Sequence, residues 1–259
     1  MVFKKGHKSW NKDKKGKDSH IKRWNKRGNQ MREVIIGCPV KNDYESFKAM
    51  YRSLVDSVNL TTFNKFVIAV GEGTNEMQQN ELREYRMLTV LDGTFKTPLE
   101  AYNALFKYAL DNESDLLLTQ TDVVFPKLYK RDWLLQMKEV AKDERVGAVT
   151  CINGGGISGP DYIDGLEWLG GHCTYIPFRT ISKLGGYDKE FPNGQYGVDI
   201  DYTYRIHLLG LKIVKINYWV DHHMMNERLH DNHPDTERHK QDCAIYFRRK
   251  YKLGEFKDA

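Results

Sequence analysis

Residues 33–58 read EVIIGCPVKNDYESFKAMYRSLVDSV. The run Glu33–Val40 is continuously apolar from Val34 and breaks at Pro39, as expected of a strand buried on both faces that opens into a loop. From Asp43 to Val58 the period changes. Phe47, Met50, Tyr51 and Leu54 recur at helical spacing and form one apolar face. This is a β-α unit, and the same alternation continues along the chain. Strands are predicted at Lys65–Val70, Met87–Leu91 and Asp115–Thr119, with helices at Met77–Tyr85 and Leu99–Asp111 between them. The expected fold class is therefore α/β, a Rossmann-like and mostly parallel central sheet with helices on both faces. Ligands of such sheets sit at the carboxyl ends of the strands. Gly71-Glu72-Gly73-Thr74 and Thr121-Asp122 fall at two such ends.

The second half is less regular. A helix is expected over Lys130–Lys142 and strands over Val146–Cys151 and Cys173–Ile176. Asn153–Gly171 holds seven glycines and one proline and reads as a long, functional loop. A helix over Asp199–Leu209 is closed by Gly210. A last strand is expected over Leu211–Val220, with Asp221-His222-His223 at its end, and a final helix over Asp235–Lys250.

Composition narrows the classes. The chain has 259 residues, 40% apolar and 12% aromatic, enough for one core of moderate size. No run approaches the roughly 20 apolar residues of a membrane span. No apolar stretch follows the basic N-terminus, so a secretory signal is not expected. Cys38, Cys151, Cys173 and Cys243 lack CxxC spacing, which fits buried thiols in a reducing cytoplasm (a host cytoplasm if the chain is phage-encoded).

Charge is unevenly placed. Residues 1–32 hold 12 Lys/Arg against Asp13 and Asp18, about +10 of a net +5, so the remainder carries about −5. Residues 1–31 have almost no aliphatic content and cannot bury enough surface to fold alone. Two domains are expected: a basic arm over 1–31 and an α/β body over 32–259. The body divides further into a half over 32–126 and a half with the C-terminal helix over 127–259.

The most specific stretch is Gly185–Arg205, GGYDKEFPNGQYGVDIDYTYR. A glycine pair sets a turn, and Asp199 and Asp201 fall in the first turn of a helix, where negative side chains are favoured. The segment resembles the acceptor-side motif of inverting, family-2-like GT-A glycosyltransferases, written GGFDE…YGEDVDLSYR. The resemblance covers residues 32–225. It implies transfer from a nucleotide-diphosphate sugar, a UDP-sugar by preference, with Mn²⁺ or Mg²⁺ as cofactor. Asp199 matches the second acid of the family's ED pair and would be the general base; Val198 stands at the first. Asp201 is expected to cap the helix or to pair with Arg205 four residues on.

Asp115–Pro126, DLLLTQTDVVFP, resembles the family's DxD strand, with Gln120 at the first acidic position. That leaves Asp122 to hold the donor's metal. A histidine near His222 and His223 completes the site in the family. Adjacent residues of an extended segment point to opposite sides, so at most one of these two is expected as a ligand, His222 by preference. The resemblance further assigns Pro39, Val40, Asn42, Glu72 and Asn103 to the nucleotide-sugar donor, and Lys41 could approach a phosphate. Trp168 and Asp161, on the Gly-rich loop, are acceptor candidates, and Trp168 could equally anchor the core.

The arm repeats a short pattern, KSWNK at Lys8–Lys12 and KRWNK at Lys22–Lys26. It resembles the NUMOD-type DNA-binding motif found beside phage homing endonucleases. Lys8, Lys12, Lys15, Arg23 and Lys26 would neutralise phosphates, and Trp10 and Trp24 would stack or pack in a groove. DNA is then the expected partner, and a hydroxymethylated pyrimidine the expected acceptor. Two other readings are compatible with the residues. One is a surface-polysaccharide glycosyltransferase whose arm lies on an anionic membrane. The other is an inactive GT-A-like module that binds nucleic acid.

Overall fold

A computed structural model describes residues 32–41, 43–74, 76–85, 87–91, 93, 95–126, 132–152, 155–157, 167–170, 172–192, 197–222 and 235–253. Almost all of them belong to one compact unit, Glu33–Ala259. The strands are β1 (Val34–Val40), β2 (Lys65–Val70), β3 (Leu88–Val90), β4 (Asp115–Thr119), β5 (Val123–Val124), β6 (Val146–Thr150), β7 (Gly155–Ile157), β8 (Glu167–Leu169), β9 (Cys173–Ile176), β10 (Lys212–Lys215) and β11 (Asp221–His222). The helices are α1 (Tyr44–Ser57), α2 (Glu76–Arg83), α3 (Pro98–Asp111), α4 (Trp133–Val140), α5 (Phe178–Leu184), α6 (Val198–Leu208) and α7 (Thr236–Tyr251).

Seven strands form the main sheet in the order β10-β6-β9-β4-β1-β2-β3. β1 pairs in parallel with β2 and with β4, and only β9 runs antiparallel, between β4 and β6. The mostly parallel sheet expected from the alternating pattern is present.

Side-chain alternation along β1 explains the two layers. Val34, Ile36, Cys38 and Val40 face Phe47, Met50 and Leu54 of α1 and Trp133 and Met137 of α4. Ile35 faces the other way, into a second cluster with Leu105 and Phe106 of α3, Ile181 of α5, Ile206 of α6 and Phe247 of α7. Helices therefore cover both faces. Each large side chain buried here contributes about 1.5–3 kcal/mol relative to exposure. Gly37 lies where α3 crosses closest, since a Cβ there would sit 3.1 Å from Leu116 Cδ1 and 3.3 Å from Leu105. The start of α3 is written in Thr97-Pro98-Leu99-Glu100. The Thr97 hydroxyl accepts from Glu100 N at 3.2 Å, and Glu100 accepts from Lys96 N at 2.7 Å.

Three features differ from the sequence-based expectation. The last strand does not run to Val220: it stops at Lys215, and Asp221–His222 form a separate strand that pairs antiparallel with β5. The Gly-rich stretch is not all loop, because Gly155–Ile157 and Glu167–Leu169 form an antiparallel ladder. Phe178–Leu184 is helical; its roughly two turns are too short to show a period. Among the described residues no helix is long and apolar enough to cross a membrane. All four cysteines are buried and unbridged.

Candidate active site

The chain leaves β1 to build β2 and β3 on one side, then returns to place β4 on the other. The carboxyl ends of β1 and β4 thus flank a topological switch point, where open α/β sheets bind ligands. A hydrogen bond closes the rim there: Thr121 Oγ1 donates to Asp43 Oδ2 at 2.9 Å. Asp43 precedes α1 but does not cap it with its side chain. Next door, Gly71 N donates to Val40 O at 2.7 Å and Glu72 N to Phe95 O at 2.8 Å. A Cβ on Gly71 would lie 2.8 Å from the Lys41 side chain, so glycine is what lets the two strand ends meet. Glu72 is exposed at this rim, Pro39 is half-buried, and the Val40 side chain belongs to the core.

Asp122 lies three residues beyond the end of β4 and immediately before β5. Its Oδ2 lies 3.2 Å from His222 Nε2, and its Oδ1 is buried without a hydrogen-bond partner among the described residues. The two residues are 100 positions apart. They meet because His222 pairs with Val123 and Asp221 with Val124 across the β5–β11 ladder. A stack of rings holds the approach to that ladder. Trp133 lies flat between Phe125 (centroids 5.2 Å apart) and Tyr218 (4.9 Å), and the Tyr218 hydroxyl donates to Pro126 O at 2.9 Å. His172 stacks flat on His222, centroids 4.5 Å apart.

Gln120, which stands at the first acidic position of the DxD-like strand, is engaged elsewhere. Its Nε2 donates to the hydroxyl of Tyr102 on α3 at 2.7 Å. Burial pushes that hydroxyl well above its ordinary pKa, and the charges of Asp122 and Asp199 push the same way. Tyr102 thus lies within electrostatic reach of both acids.

Asp199 sits in the first turn of α6, which begins after Gly197 in the left-handed region (φ 73°). Its Oδ1 accepts from Ile200 N at 2.9 Å. Burial raises its carboxyl to about 6, with the backbone hydrogen bond pulling weakly the other way. Asp201 is different: fully buried, it accepts from Arg205 Nε (3.0 Å), Lys250 Nζ (2.6 Å) and the Tyr251 hydroxyl (2.8 Å). The expected i,i+4 pair with Arg205 is present, and α7 supplies two further donors. Lys250 also meets Asp188 at 2.7 Å, and Arg205 donates to Leu184 O and Gly186 O. The glycine pair has separate reasons. Gly185 ends α5 at φ 73°, while a Cβ on Gly186 would collide with Asn103 Oδ1. Asn103, on α3, therefore lies against the Gly185–Arg205 segment.

Trp168, on β8, is half-buried and packs against the second core cluster. Its neighbour Leu169 is tied to α6: Leu169 N donates to Thr203 Oγ1 at 3.0 Å, and that hydroxyl donates to Asp199 O at 2.7 Å. Asn42, His223, Asp161 and the arm residues Lys8, Trp10, Lys12, Lys15, Arg23, Trp24 and Lys26 lie outside the described residues.

His172, Tyr102 and Asp43 join the site without having been picked out from the sequence. For His172 the available signal was its place one residue before β9, the strand that pairs Cys173 with Thr119 of β4. Among the described residues no group of three or more His, Cys, Asp or Glu side chains converges as a metal cluster. Asp122 and His222 alone are a two-residue set. That set, one carboxylate with an oxygen lacking a partner among the described residues and one imidazole, has donor types that suit a cation such as Mn²⁺.

No protein-family model matches the chain, and no curated protein does. Solved structures do. A mannosyltransferase from Pyrobaculum calidifontis in complex with GDP-Man and Mn²⁺ is similar at a TM-score of 0.55 and 14% identity, covering 77% of this chain and 61% of that one. GalNAc-T7 with UDP, GalNAc and Mn²⁺ aligns at 0.57 and 11%, covering 73% of this chain and 44% of that one. S. aureus TarS 1-349 in complex with UDP aligns at 0.54 and 14%, covering 87% and 73%. The chain thus spans about three fifths of the mannosyltransferase and under half of GalNAc-T7. At these identities the likeness establishes the fold, that of GT-A glycosyltransferases.

Proposed function

We propose that the protein transfers a sugar from a nucleotide-diphosphate sugar, a UDP-sugar by preference, to an acceptor hydroxyl with inversion. The observation that carries this is two unlike acids, Asp122 and Asp199, both acting electrostatically on the buried Tyr102 hydroxyl. Asp122 offers an unpartnered buried oxygen beside an imidazole, and Asp199 carries a carboxyl raised to about 6. Asp122 and His222 would hold a divalent cation, which supplies neutralisation of the leaving diphosphate. Residues 32–126 would bind the donor, with Pro39, Val40, Asn42, Glu72 and Asn103 around the nucleotide sugar. Residues 127–259 would bind the acceptor beside Trp168 and Asp161.

Asp199 is the base. A carboxylate of raised pKa accepts a proton better than an ordinary one and is still ionised at neutral pH. It takes the proton of the attacking hydroxyl as that oxygen bonds to the anomeric carbon. The bond from that carbon to the diphosphate breaks, and its electron pair leaves with the nucleoside diphosphate. One displacement inverts the centre.

The acceptor we favour is a hydroxymethylated pyrimidine in duplex DNA, flipped out of the stack and brought by the basic arm over residues 1–31. The charge separation supports this, since a body of about −5 would by itself repel a polyanion. The deciding experiment incubates the full chain and Mn²⁺ with a panel of nucleotide sugars and with plain or hydroxymethylated duplex, read by intact mass. A hexose- or pentose-sized gain on the modified duplex alone is expected. Donor turnover without DNA product would move the acceptor to a glycan. No turnover of any donor would leave a nucleic-acid-binding module.

A further inference from the structure

The ladder that carries His222 is slight. β11 is two residues long and pairs only with β5. Two pairs fix a backbone but leave the side-chain torsions to the surroundings. His222 is also only partly buried, with Asp122 Oδ2 3.2 Å from its Nε2. A metal-binding imidazole needs its orientation set by a neighbour, and such neighbours matter for affinity.

His172 is placed to do this. It is buried, at 9% exposure, and precedes β9, which is paired on both sides, to β4 and to β6. Its ring lies 4.5 Å from that of His222, with the planes 5° apart. His172 thus adjoins the seven-stranded main sheet, next to the Cys173–Thr119 pair that ends beside Gln120, while His222 belongs to the two-residue ladder. Imidazole lone pairs lie in the ring plane. Two parallel, stacked rings therefore cannot both aim a nitrogen at one ion, and His172 is not a third ligand.

We infer that His172 is a positioning residue, whose ring face holds His222 in the plane that directs Nε2 at the site of Asp122. The inference rests on Asp122 and His222 being the cation-binding pair, and its test separates the two statements. Mn²⁺ alone is titrated into the full chain, and the spin-resonance signal of free Mn²⁺ gives the affinity. His222→Ala checks the pair. His172→Leu and His172→Phe both fill the space with apolar atoms, but only phenylalanine is flat. His222→Ala is expected to bind at least about tenfold more weakly, His172→Leu about tenfold more weakly, and His172→Phe within about threefold of the unaltered chain. Weak binding by His222→Ala with unaltered binding by His172→Leu overturns the positioning role alone. Equal loss in His172→Leu and His172→Phe also overturns it, because the nitrogens and not the face would then matter. Unaltered binding by His222→Ala removes the cation pair itself and the inference with it.

Discussion

Two acids two residues apart, Asp199 and Asp201, have opposite duties. Asp201 is fully buried and neutralised by Lys250 and Arg205. Asp199 accepts backbone hydrogen bonds, from Ile200 N among them, and burial holds its carboxyl up at about 6. Asp199→Asn should lower kcat by about 10²–10⁴-fold, as loss of a general base does, and leave donor affinity unchanged in calorimetry. Turnover equal to that of the parent would remove Asp199 as base. In the parent, kcat should fall as pH drops through about 6, because the base is then protonated. Stability has the opposite sense. A carboxyl whose pKa is raised by folding favours the native state below its unfolded value of 3.8, and this advantage is lost as pH rises to about 6. The loss is on the order of 3 kcal/mol. Asp199→Asn should therefore melt at a higher temperature than the parent at pH 8, and at the same temperature at pH 4. Asp201→Asn should instead cost about 1–3 kcal/mol in urea denaturation at pH 7, because Arg205 loses its carboxylate and Lys250 keeps only Asp188 of its two. The partnership with Arg205 could be read from i,i+4 spacing. Lys250 and Tyr251 could not, since they come from a helix some 50 residues away.

Elements long enough to show a period were legible. The spans of β1 and β4 follow from their apolar runs, and the buried face of α1 from the spacing of Phe47, Met50 and Leu54. β5 and β11 were not, because a two-residue strand has no periodicity, yet they unite Asp122 with His222. What selects that pairing is the stack of Phe125, Trp133 and Tyr218, three aromatics from separate segments. The β7–β8 ladder was hidden in the same way by its glycines. It matters because β8 is bonded to the helix that carries Asp199 through Thr203, whose hydroxyl links Leu169 N to Asp199 O. Thr203→Val keeps the shape and removes the link, leaving a buried N–H unsatisfied at a cost of about 1–3 kcal/mol. If β8 carries the acceptor side, KM for the acceptor should rise several-fold while KM for the donor stays put. Equal changes in both would make Thr203 a matter of general stability.

At the scale of the whole molecule, charge is divided more sharply than structure requires. About +10 lies in residues 1–32 and about −5 in everything after them. The body has its own two-sided core and seven-stranded sheet, all within Glu33–Ala259, so nothing in its packing calls for eleven Lys and Arg ahead of residue 32. The polyanionic partner proposed above would. Each phosphate neutralised adds roughly 0.9 to the slope of log affinity against log salt. Deleting residues 1–31 should therefore weaken duplex binding and flatten that slope by several units, without moving the melting temperature or the turnover of donor by water. Filter binding at 50 and 200 mM salt with parent and truncated chains measures this directly. An unchanged slope would detach the arm from DNA. A slope lost equally for duplexes with and without hydroxymethylated bases would give the arm affinity alone and leave base choice to the body. That division is expected, because phosphate contacts position a protein and carry no sequence information.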